Sequence, residues 1–185
     1  MGLGHYFNLK DVFTKEECDR IIHSFSETRL EKSIVEDKNT TIIPRKNKMA
    51  WVEMTADNDW IYQRLQGVAS HFNKEHYKFN LEWARIELIQ FTKYEKGDYY
   101  TWHMDLGINP NSMGRKISLV VQLSDPGKYD GGELQIGMID EEAYTVYKDK
   151  GSVSVFSSAM RHRVTPVTRG VRYSLVAWVS GIPFV

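Results

Sequence analysis

The 185-residue chain has little cysteine, no net charge and no long apolar run. Its one cysteine, Cys18, cannot form an internal disulfide, and no basic start followed by an apolar stretch marks a signal peptide. We therefore expect a cytoplasmic protein. No apolar run approaches the roughly 18 residues that a membrane-spanning helix needs, so we expect no membrane association.

The charge balance argues against partners that bind by electrostatic attraction. Lysine plus arginine number 24 and aspartate plus glutamate number 24, so the formal net charge is +0. A chain without a basic field is a poor candidate for binding nucleic acid or an anionic membrane. With 42% hydrophobic residues the composition is that of a globular protein, and its length fits one domain over residues 1–185.

Helical patterns are confined to the first part of the chain. Thr14 and Glu17 are spaced as a capping box, which predicts a helix that begins there and ends near Thr28. A second helix is predicted to follow a polar cap within residues 57–59 and to end near Asn73, because apolar residues recur along one stripe.

A polar and charged segment, residues 29–48, separates the two predicted helices and is interpreted as a long loop or a weakly formed hairpin. A strand is predicted after it at residues 48–53. Loops of this length are often functional. Residues 29–48 and 106–114 are candidates for lids that close over a site, and substrate binding would then order the first of them. A solvated surface loop is the equally open alternative.

From residue 81 onward the pattern is that of strands separated by turn residues. We predict a mainly β protein of the α+β class, with a jelly-roll core over about residues 81–185 and two or three helices as support within about residues 1–80. The predicted strands are residues 84–91, 99–105, 117–123, 133–136, 143–147, 152–156, 161–165 and 171–180.

The sharpest local feature is the run His103-Met104-Asp105. On a strand, residues two apart share a face, so His103 and Asp105 are predicted to point the same way. Together with His162 they would form a two-histidine, one-carboxylate set for a divalent metal, with coordination positions left open. A histidine two residues before an aspartate is also common by chance, so the motif alone does not establish a metal site.

Arg172 is the second candidate. Residues 166–170 are predicted to be a turn, which would place His162 and Arg172 on consecutive strands facing one cavity. Ser174 and Trp178 would share the face of Arg172. An inward guanidinium needs an anion, such as a ligand carboxylate. The alternatives are a salt bridge to Glu87 or Glu133, or plain exposure.

Taken in order, these motifs resemble the iron(II)- and 2-oxoglutarate-dependent dioxygenases, and within them the prolyl-4-hydroxylase-like branch. The resemblance runs from about Thr14 to Gly181. The motifs that carry it are Tyr94, Gly97, Tyr100, His103 and Asp105, then Gly131-Gly132-Glu133-Leu134 and Phe156-Ser157, then His162-Arg163-Val164-Thr165-Pro166-Val167 and Gly170-x-Arg172-x-Ser174.

The resemblance implies a double-stranded β-helix with iron(II) at one mouth. It implies 2-oxoglutarate as cosubstrate and dioxygen as oxidant, and it is compatible with ascorbate as a further reductant. The implied metal ligands and catalytic residues are His103, Asp105 and His162. The implied 2-oxoglutarate residues are Arg172, Tyr94, Ser174 and Gln122, and the substrate-side residues are Tyr100, Arg115 and Trp178. Gln122 stands where relatives often carry a tyrosine.

The implied function is hydroxylation of an aliphatic C–H bond with release of succinate and carbon dioxide, and a peptidyl proline is the favoured substrate. Peptides, proteins and small molecules are all candidate partners. A hydroxylase of free amino acids or other small molecules is an alternative, as is a catalytically silent jelly-roll module that binds metal or protein. A nucleic-acid demethylase is disfavoured by the charge balance, and a halogenase by the carboxylate of Asp105.

Overall fold

The computed structural model describes residues 5–26, 30–33, 45–81, 86–108, 110, 112–137 and 142–182. Most of the predicted lid at 29–48 therefore lies outside the described residues, and so do residues 84 and 85 of the first predicted core strand. The idea that substrate binding orders the segment 29–48 stays a prediction. Among the described residues, no helix has the length and apolar character needed to cross a bilayer.

Two α-helices precede most of the sheet. Helix α1 is Lys15–Ser26, and α2 is Asp59–Phe72, which continues as a π-helical turn at Asn73–Tyr77. The capping box is confirmed. The amide of Glu17 donates to Thr14 Oγ1 at 3.1 Å, and the amide of Thr14 donates to Glu17 Oε2 at 2.9 Å.

The predicted polar cap of α2 does not form through its side chain. Asn58 is the residue before α2, yet its Oδ1 accepts from the amide of Thr55 at 2.8 Å and its Nδ2 donates to the carbonyl of Glu53 at 2.8 Å. Asn58 thus closes the turn that leads into the helix.

Seven of the eight predicted core strands are found within two residues of their predicted bounds, whereas the first, predicted at 84–91, begins only at Ile89. The strands are β1 (Tyr6–Leu9), β2 (Glu31–Ser33), β3 (Arg45–Val52), β4 (Ile89–Tyr94), β5 (Tyr99–His103), β6 (Arg115–Gln122), β7 (Tyr129–Gly131), β8 (Leu134–Ile136), β9 (Tyr144–Thr145), β10 (Val153–Ser157), β11 (His162–Val164), β12 (Val167–Gly170) and β13 (Arg172–Ser180).

The strands form one antiparallel sheet that curls on itself. Its order is β1-β10-β6-β13-β4-β3-β5-β11-β8-β9, with β2 added beside β3, while β12 and β7 form a separate pair. Strand β3 joins the two halves, because Lys48–Val52 pair with β4 whereas Arg45 and Lys46 pair with β5. The predicted jelly-roll architecture is confirmed.

The helices cover the outer face of the wider half of the sheet. Helix α2 packs over β6 and β13, and the core between them is fully apolar. Its buried members include Phe13, Ile21, Leu65, Phe91, Leu119 and Leu175. This layer leaves the inner face of the sheet available for a site.

The predicted plain turn at residues 166–170 is wrong, since Val167–Gly170 forms β12 and pairs with β7. His162 and Arg172 are therefore not on consecutive strands. The glycines that suggested turns serve this pairing: Gly131 has φ +69°, and a Cβ there would lie 2.1 Å from the carbonyl oxygen of Pro166. Strands β1 and β3 also show that the first 80 residues supply part of the sheet.

We expect Thr14→Ala to lower the free energy of unfolding by about 1 kcal/mol, because the amide of Glu17 loses its side-chain acceptor at the start of α1. Urea unfolding followed by circular dichroism measures the change. Thr55→Ala is the control, because Thr55 takes part in the turn with Asn58 through its backbone amide and carbonyl, which alanine keeps. An equal loss in both variants would contradict the role of the cap.

Candidate functional site

A cavity of about 370 Å³ opens between the two halves of the curled sheet. One wall comes from β3, β4, β6 and β13, and the other from β5, β8 and β11. Its lining includes all three candidate metal ligands together with Arg172, so two of the predicted features meet in one space. The polar lining residues are Arg45, Gln90, Tyr94, Tyr100, His103, Asp105, Ser112, Arg115, His162, Arg172 and Ser174.

The two histidines and the aspartate converge as predicted, but not through a shared strand face, because β5 ends at His103 and Asp105 lies in the turn after it. His103 ends β5 and lies directly opposite His162, the first residue of β11. Asp105 Oδ1 is 3.8 Å from His103 Nε2, and Asp105 Oδ2 is 3.5 Å from His162 Nε2. All three side chains are buried, and within the described residues they form the one group of three or more side chains able to hold a metal.

Backbone carbonyls orient both imidazoles. His103 Nδ1 lies 2.8 Å from the carbonyl oxygen of Thr101, and His162 Nδ1 lies 3.0 Å from that of Met160. A carbonyl can only accept, so we assign the proton to Nδ1 in each ring. The lone pair of each Nε2 then faces the centre of the group, as a metal ligand requires.

Hydrogen bonds also orient the carboxylate of Asp105. Ser118 Oγ donates to Asp105 Oδ2 at 2.7 Å, and Ser118 is itself 2.9 Å from the hydroxyl of Ser158. The amides of Asp105 and Leu106 both donate to the carbonyl of Ser158. These bonds connect β6, β10 and the turn after β5, so they fix the direction of the carboxylate.

The electrostatics favour the metal-binding protonation states. Burial, together with the nearby His162, lowers the pKa of His103 to about 3, so its ring is neutral at pH 7. Burial alone would raise the pKa of Asp105, but His162, His103 and the Ser118 hydroxyl outweigh it and the net pKa is lowered. Two imidazoles and one carboxylate are the donor set of non-haem iron(II) sites, which leaves coordination positions open.

Arg172 is buried, and no carboxylate among the described residues forms an ion pair with it. Its Nη2 donates to Gln122 Oε1 at 2.9 Å and its Nη1 donates to Ser174 Oγ at 3.2 Å, while Nε has no partner in the described structure. The guanidinium carbon lies 5.4 Å from the centre of the Tyr94 ring. The predicted 2-oxoglutarate residues are therefore brought together around one cation.

Neither plain exposure nor a salt bridge accounts for Arg172, because no ion pair joins it to Glu87 or Glu133 in the described structure. The side chain is 1% exposed, and Glu87 forms its ion pair with Arg115. Gly132 allows this burial, because a Cβ there would lie 3.1 Å from Arg172 Cδ. A buried guanidinium whose contacts among the described residues are all neutral favours a ligand carboxylate, which it can bind through two parallel hydrogen bonds.

The predicted substrate-side residues also line the cavity. The Tyr100 ring stacks on His103 with 3.5 Å between centroids, and burial raises the pKa of its hydroxyl to about 12. Arg115 lies 3.8 Å over the Trp178 ring and binds Glu87 at 2.8 Å. Trp178 Nε1 is buried and has no hydrogen-bond partner in the described structure.

Sequence reasoning missed three lining or supporting residues. Ser118 shares the cavity face of β6 with Gln122 by the two-residue period, so that signal was available. Arg45 and Gln90, which bond to each other at 2.7 Å, come from segments 45 residues apart. No local pattern connects them.

Comparison with known proteins gives consistent results. The family model for the 2OG-Fe(II) oxygenase superfamily matches residues 89–180. A PKHD-type hydroxylase of Gloeothece citriformis is 40% identical over 100 residues, which cover 53% of this chain and 44% of that protein. The match therefore spans less than half the length of this curated relative.

Solved structures with the same fold include two prolyl hydroxylases. The prolyl-4-hydroxylase of Pseudomonas putida has a TM-score of 0.74 at 21% identity, covering 95% of this chain and 92% of that one. The viral collagen prolyl hydroxylase of Paramecium Bursaria Chlorella virus-1, in its 2OG complex, has a TM-score of 0.71 at 19% identity, covering 97% and 98%. At these identities the likeness concerns the fold.

We expect His162→Ala to abolish tight binding of cobalt(II), a spectroscopic substitute for iron(II), because one of three converging donors is lost. Visible absorption of the cobalt complex measures it, and circular dichroism checks the fold. His71→Ala is the matched control, since His71 lies exposed on α2. An unchanged cobalt spectrum in His162→Ala would contradict the ligand assignment.

Proposed function

This chain belongs to the 2OG-Fe(II) oxygenase superfamily, and we propose that it hydroxylates an aliphatic C–H bond with release of succinate and carbon dioxide. A peptidyl proline is the favoured substrate. One observation carries the proposal: the three oriented ligands and the uncompensated cation of Arg172 line the same cavity.

The bound iron(II) and 2-oxoglutarate supply the oxidising chemistry, with one oxygen atom of dioxygen entering succinate and the other entering the product. The protein residues hold the components. His103, Asp105 and His162 would hold the iron, and a set of only three protein ligands would leave room on the metal for the keto-acid end of 2-oxoglutarate and for dioxygen. A fourth protein ligand would take up part of that room.

Arg172 would bind the far carboxylate of 2-oxoglutarate. Its Nη groups are already directed by Gln122 and Ser174, and Ser174 Oγ is in turn 2.6 Å from Thr92 Oγ1. This bonded set costs little reorganisation when the anion arrives. Tyr94, whose ring lies beside the guanidinium, completes the pocket.

The substrate would enter beside Tyr100 and Trp178. The aromatic rings of these residues offer flat apolar surfaces on either side of the metal group, and Arg115 is fixed over Trp178 by Glu87. Such walls suit a compact apolar ring such as that of proline and would limit the entry of water. The names of the similar proteins, PKHD-type hydroxylase and prolyl-4-hydroxylase, support the same substrate class.

We expect Arg172→Gln to weaken 2-oxoglutarate binding by roughly tenfold or more, because the variant loses charge-assisted hydrogen bonds to the carboxylate. Calorimetry on the metal-loaded protein measures the affinity. Arg169→Gln is the control: it removes the same charge three residues earlier, where the guanidinium is exposed and paired with Asp130. Equal affinities in all three proteins would show that the carboxylate binds elsewhere.

The substrate class can be decided by product mass. Incubation with iron(II), 2-oxoglutarate and dioxygen should add one oxygen atom, about 16 Da, to the proline of a short peptide and release succinate in equal amount. Free proline and other free amino acids form the second arm. Oxygen added only to free amino acids would replace the peptidyl-proline assignment, and absence of succinate in every arm would favour a silent module.

A further inference from the structure

Arg45 is a second cation of the cavity that the proposed chemistry does not use. It begins β3 and is half-buried, and its guanidinium carbon lies 4.7 Å from the centre of the Tyr100 ring. Tyr100 stacks in turn on His103. A single aromatic ring thus separates this cation from a candidate metal ligand.

Its described polar contacts are neutral. Arg45 Nε donates to Asn47 Oδ1 at 3.0 Å, and Nη2 donates to Gln90 Oε1 at 2.7 Å. Gln90 is itself held by a contact from Nε2 to the sulfur of Met49 at 3.3 Å. These amides direct the guanidinium without compensating its charge, and Nη1 has no bond in the described structure.

A second donor at the same place lacks an acceptor. Asn47 is 3% exposed, and its Nδ2 has no hydrogen-bond partner among the described residues. Residues two apart on a strand share a face, so Asn47 lies on the face of β3 that also carries the cavity-lining Arg45 and Trp51. Asn47 does not line the cavity, so its amide positions Arg45 rather than contacting a ligand, and the unpaired Nδ2 shows that this end of β3 is short of acceptors.

When metal and 2-oxoglutarate are bound, the formal charges of the site balance without Arg45. A divalent metal, the carboxylate of Asp105, the guanidinium of Arg172 and the two carboxylates of 2-oxoglutarate sum to zero. Arg115 is neutralised by Glu87. After metal and cosubstrate have bound, Arg45 is therefore the uncompensated charge among the described residues of the cavity.

We propose that Arg45 selects substrates that carry a carboxylate close to the carbon that is hydroxylated. The inference rests on the proposed function and narrows its substrate class to acidic substrates. The guanidinium carbon of Arg45 lies 4.7 Å from the centre of the Tyr100 ring, and that centre lies 3.5 Å from the centre of the His103 ring. These two distances together set an upper limit on the separation between Arg45 and the His103 ring. At about 3.3 Å per residue of extended chain, the acidic residue of a peptide would lie within about three residues of the target proline.

The test compares matched ligands on the protein loaded with iron(II) and 2-oxoglutarate without oxygen, with affinity measured by calorimetry. Each short blocked peptide has one central proline and one aspartate, and the position of the aspartate relative to the proline differs from peptide to peptide. Each peptide is compared with a matched peptide that has asparagine in place of the aspartate. Free proline against prolinamide forms the small-molecule arm. We expect at least one acidic ligand to bind roughly tenfold more tightly than its matched amide.

Three variants assign the preference to Arg45. Arg45→Gln should abolish it, and Arg45→Lys should keep part of it, since the charge remains without the planar fork. Lys46→Gln is the control: it removes a charge from the next residue of the same strand, whose ammonium group lies 3.4 Å from Asp98, and should leave the preference intact. If Arg45→Gln does not fold, the affinities of each acidic ligand and its matched amide for the unaltered protein still test the proposal, because equal affinities would contradict it.

Acid preference in the peptide arm or in the free-proline arm, lost in Arg45→Gln, supports the proposal and identifies the source of the carboxylate. Equal binding of every acid and its amide, or a preference that survives in Arg45→Gln, overturns it. The proposed function fails separately, when no ligand yields succinate once oxygen is admitted. If hydroxylated product and succinate form but acidic ligands are not preferred, the proposed hydroxylase function stands and only the role of Arg45 is contradicted.

Discussion

The pairing of β5 with β11 is the interaction on which the site depends. It places His162 opposite His103, and the chain then leaves β5 in a turn that brings Asp105 between their Nε2 atoms. A shift of one residue in this pairing would turn His162 to the other face of its strand. The short strand β11 is held against such a shift on both sides, by β5 and by β8.

The buried charges of the cavity lower the stability of the fold and make the site able to bind a metal and an anion. Asp105 and Arg172 are both nearly fully buried. Among the described residues, Asp105 has no lysine or arginine partner and Arg172 has no aspartate or glutamate partner. Isolated buried charges are strongly unfavourable, and proteins usually pair them. Here neutral hydroxyls and amides hold the two groups in position, which leaves their charges available to a metal and an anion. The apolar layer between α2 and the sheet supplies the stability that tolerates this arrangement.

Local sequence patterns explain most of the fold and about half of the site. The two-residue period located most core strands and the shared face of Arg172 and Ser174, while a capping box located the start of α1. It grouped His103 with Asp105 correctly, although Asp105 lies in the turn after β5 rather than on the strand. The period did not reveal β1 or the β7–β12 pair, since segments of three or four residues around glycines carry too little alternation. The bond between Arg45 and Gln90 depends on the register of β3 with β4, a long-range contact that no local pattern encodes.

The residue that we propose for substrate selection lies on β3, apart from the residues that would bind metal and 2-oxoglutarate. Strand β3 pairs with both halves of the sheet, and its cavity face carries Arg45 and Trp51, whereas the candidate metal ligands and Arg172 lie on or beside other strands. Trp51 is 48% exposed and lies 6.2 Å from Trp178, so this face also reaches the rim of the cavity. Changes at alternate positions of β3 would alter what the cavity accepts without moving a metal ligand. At Arg45 and Trp51, which are not fully buried, such changes would also cost the fold little, whereas Asn47 and Met49 on the same face are buried and constrained by packing.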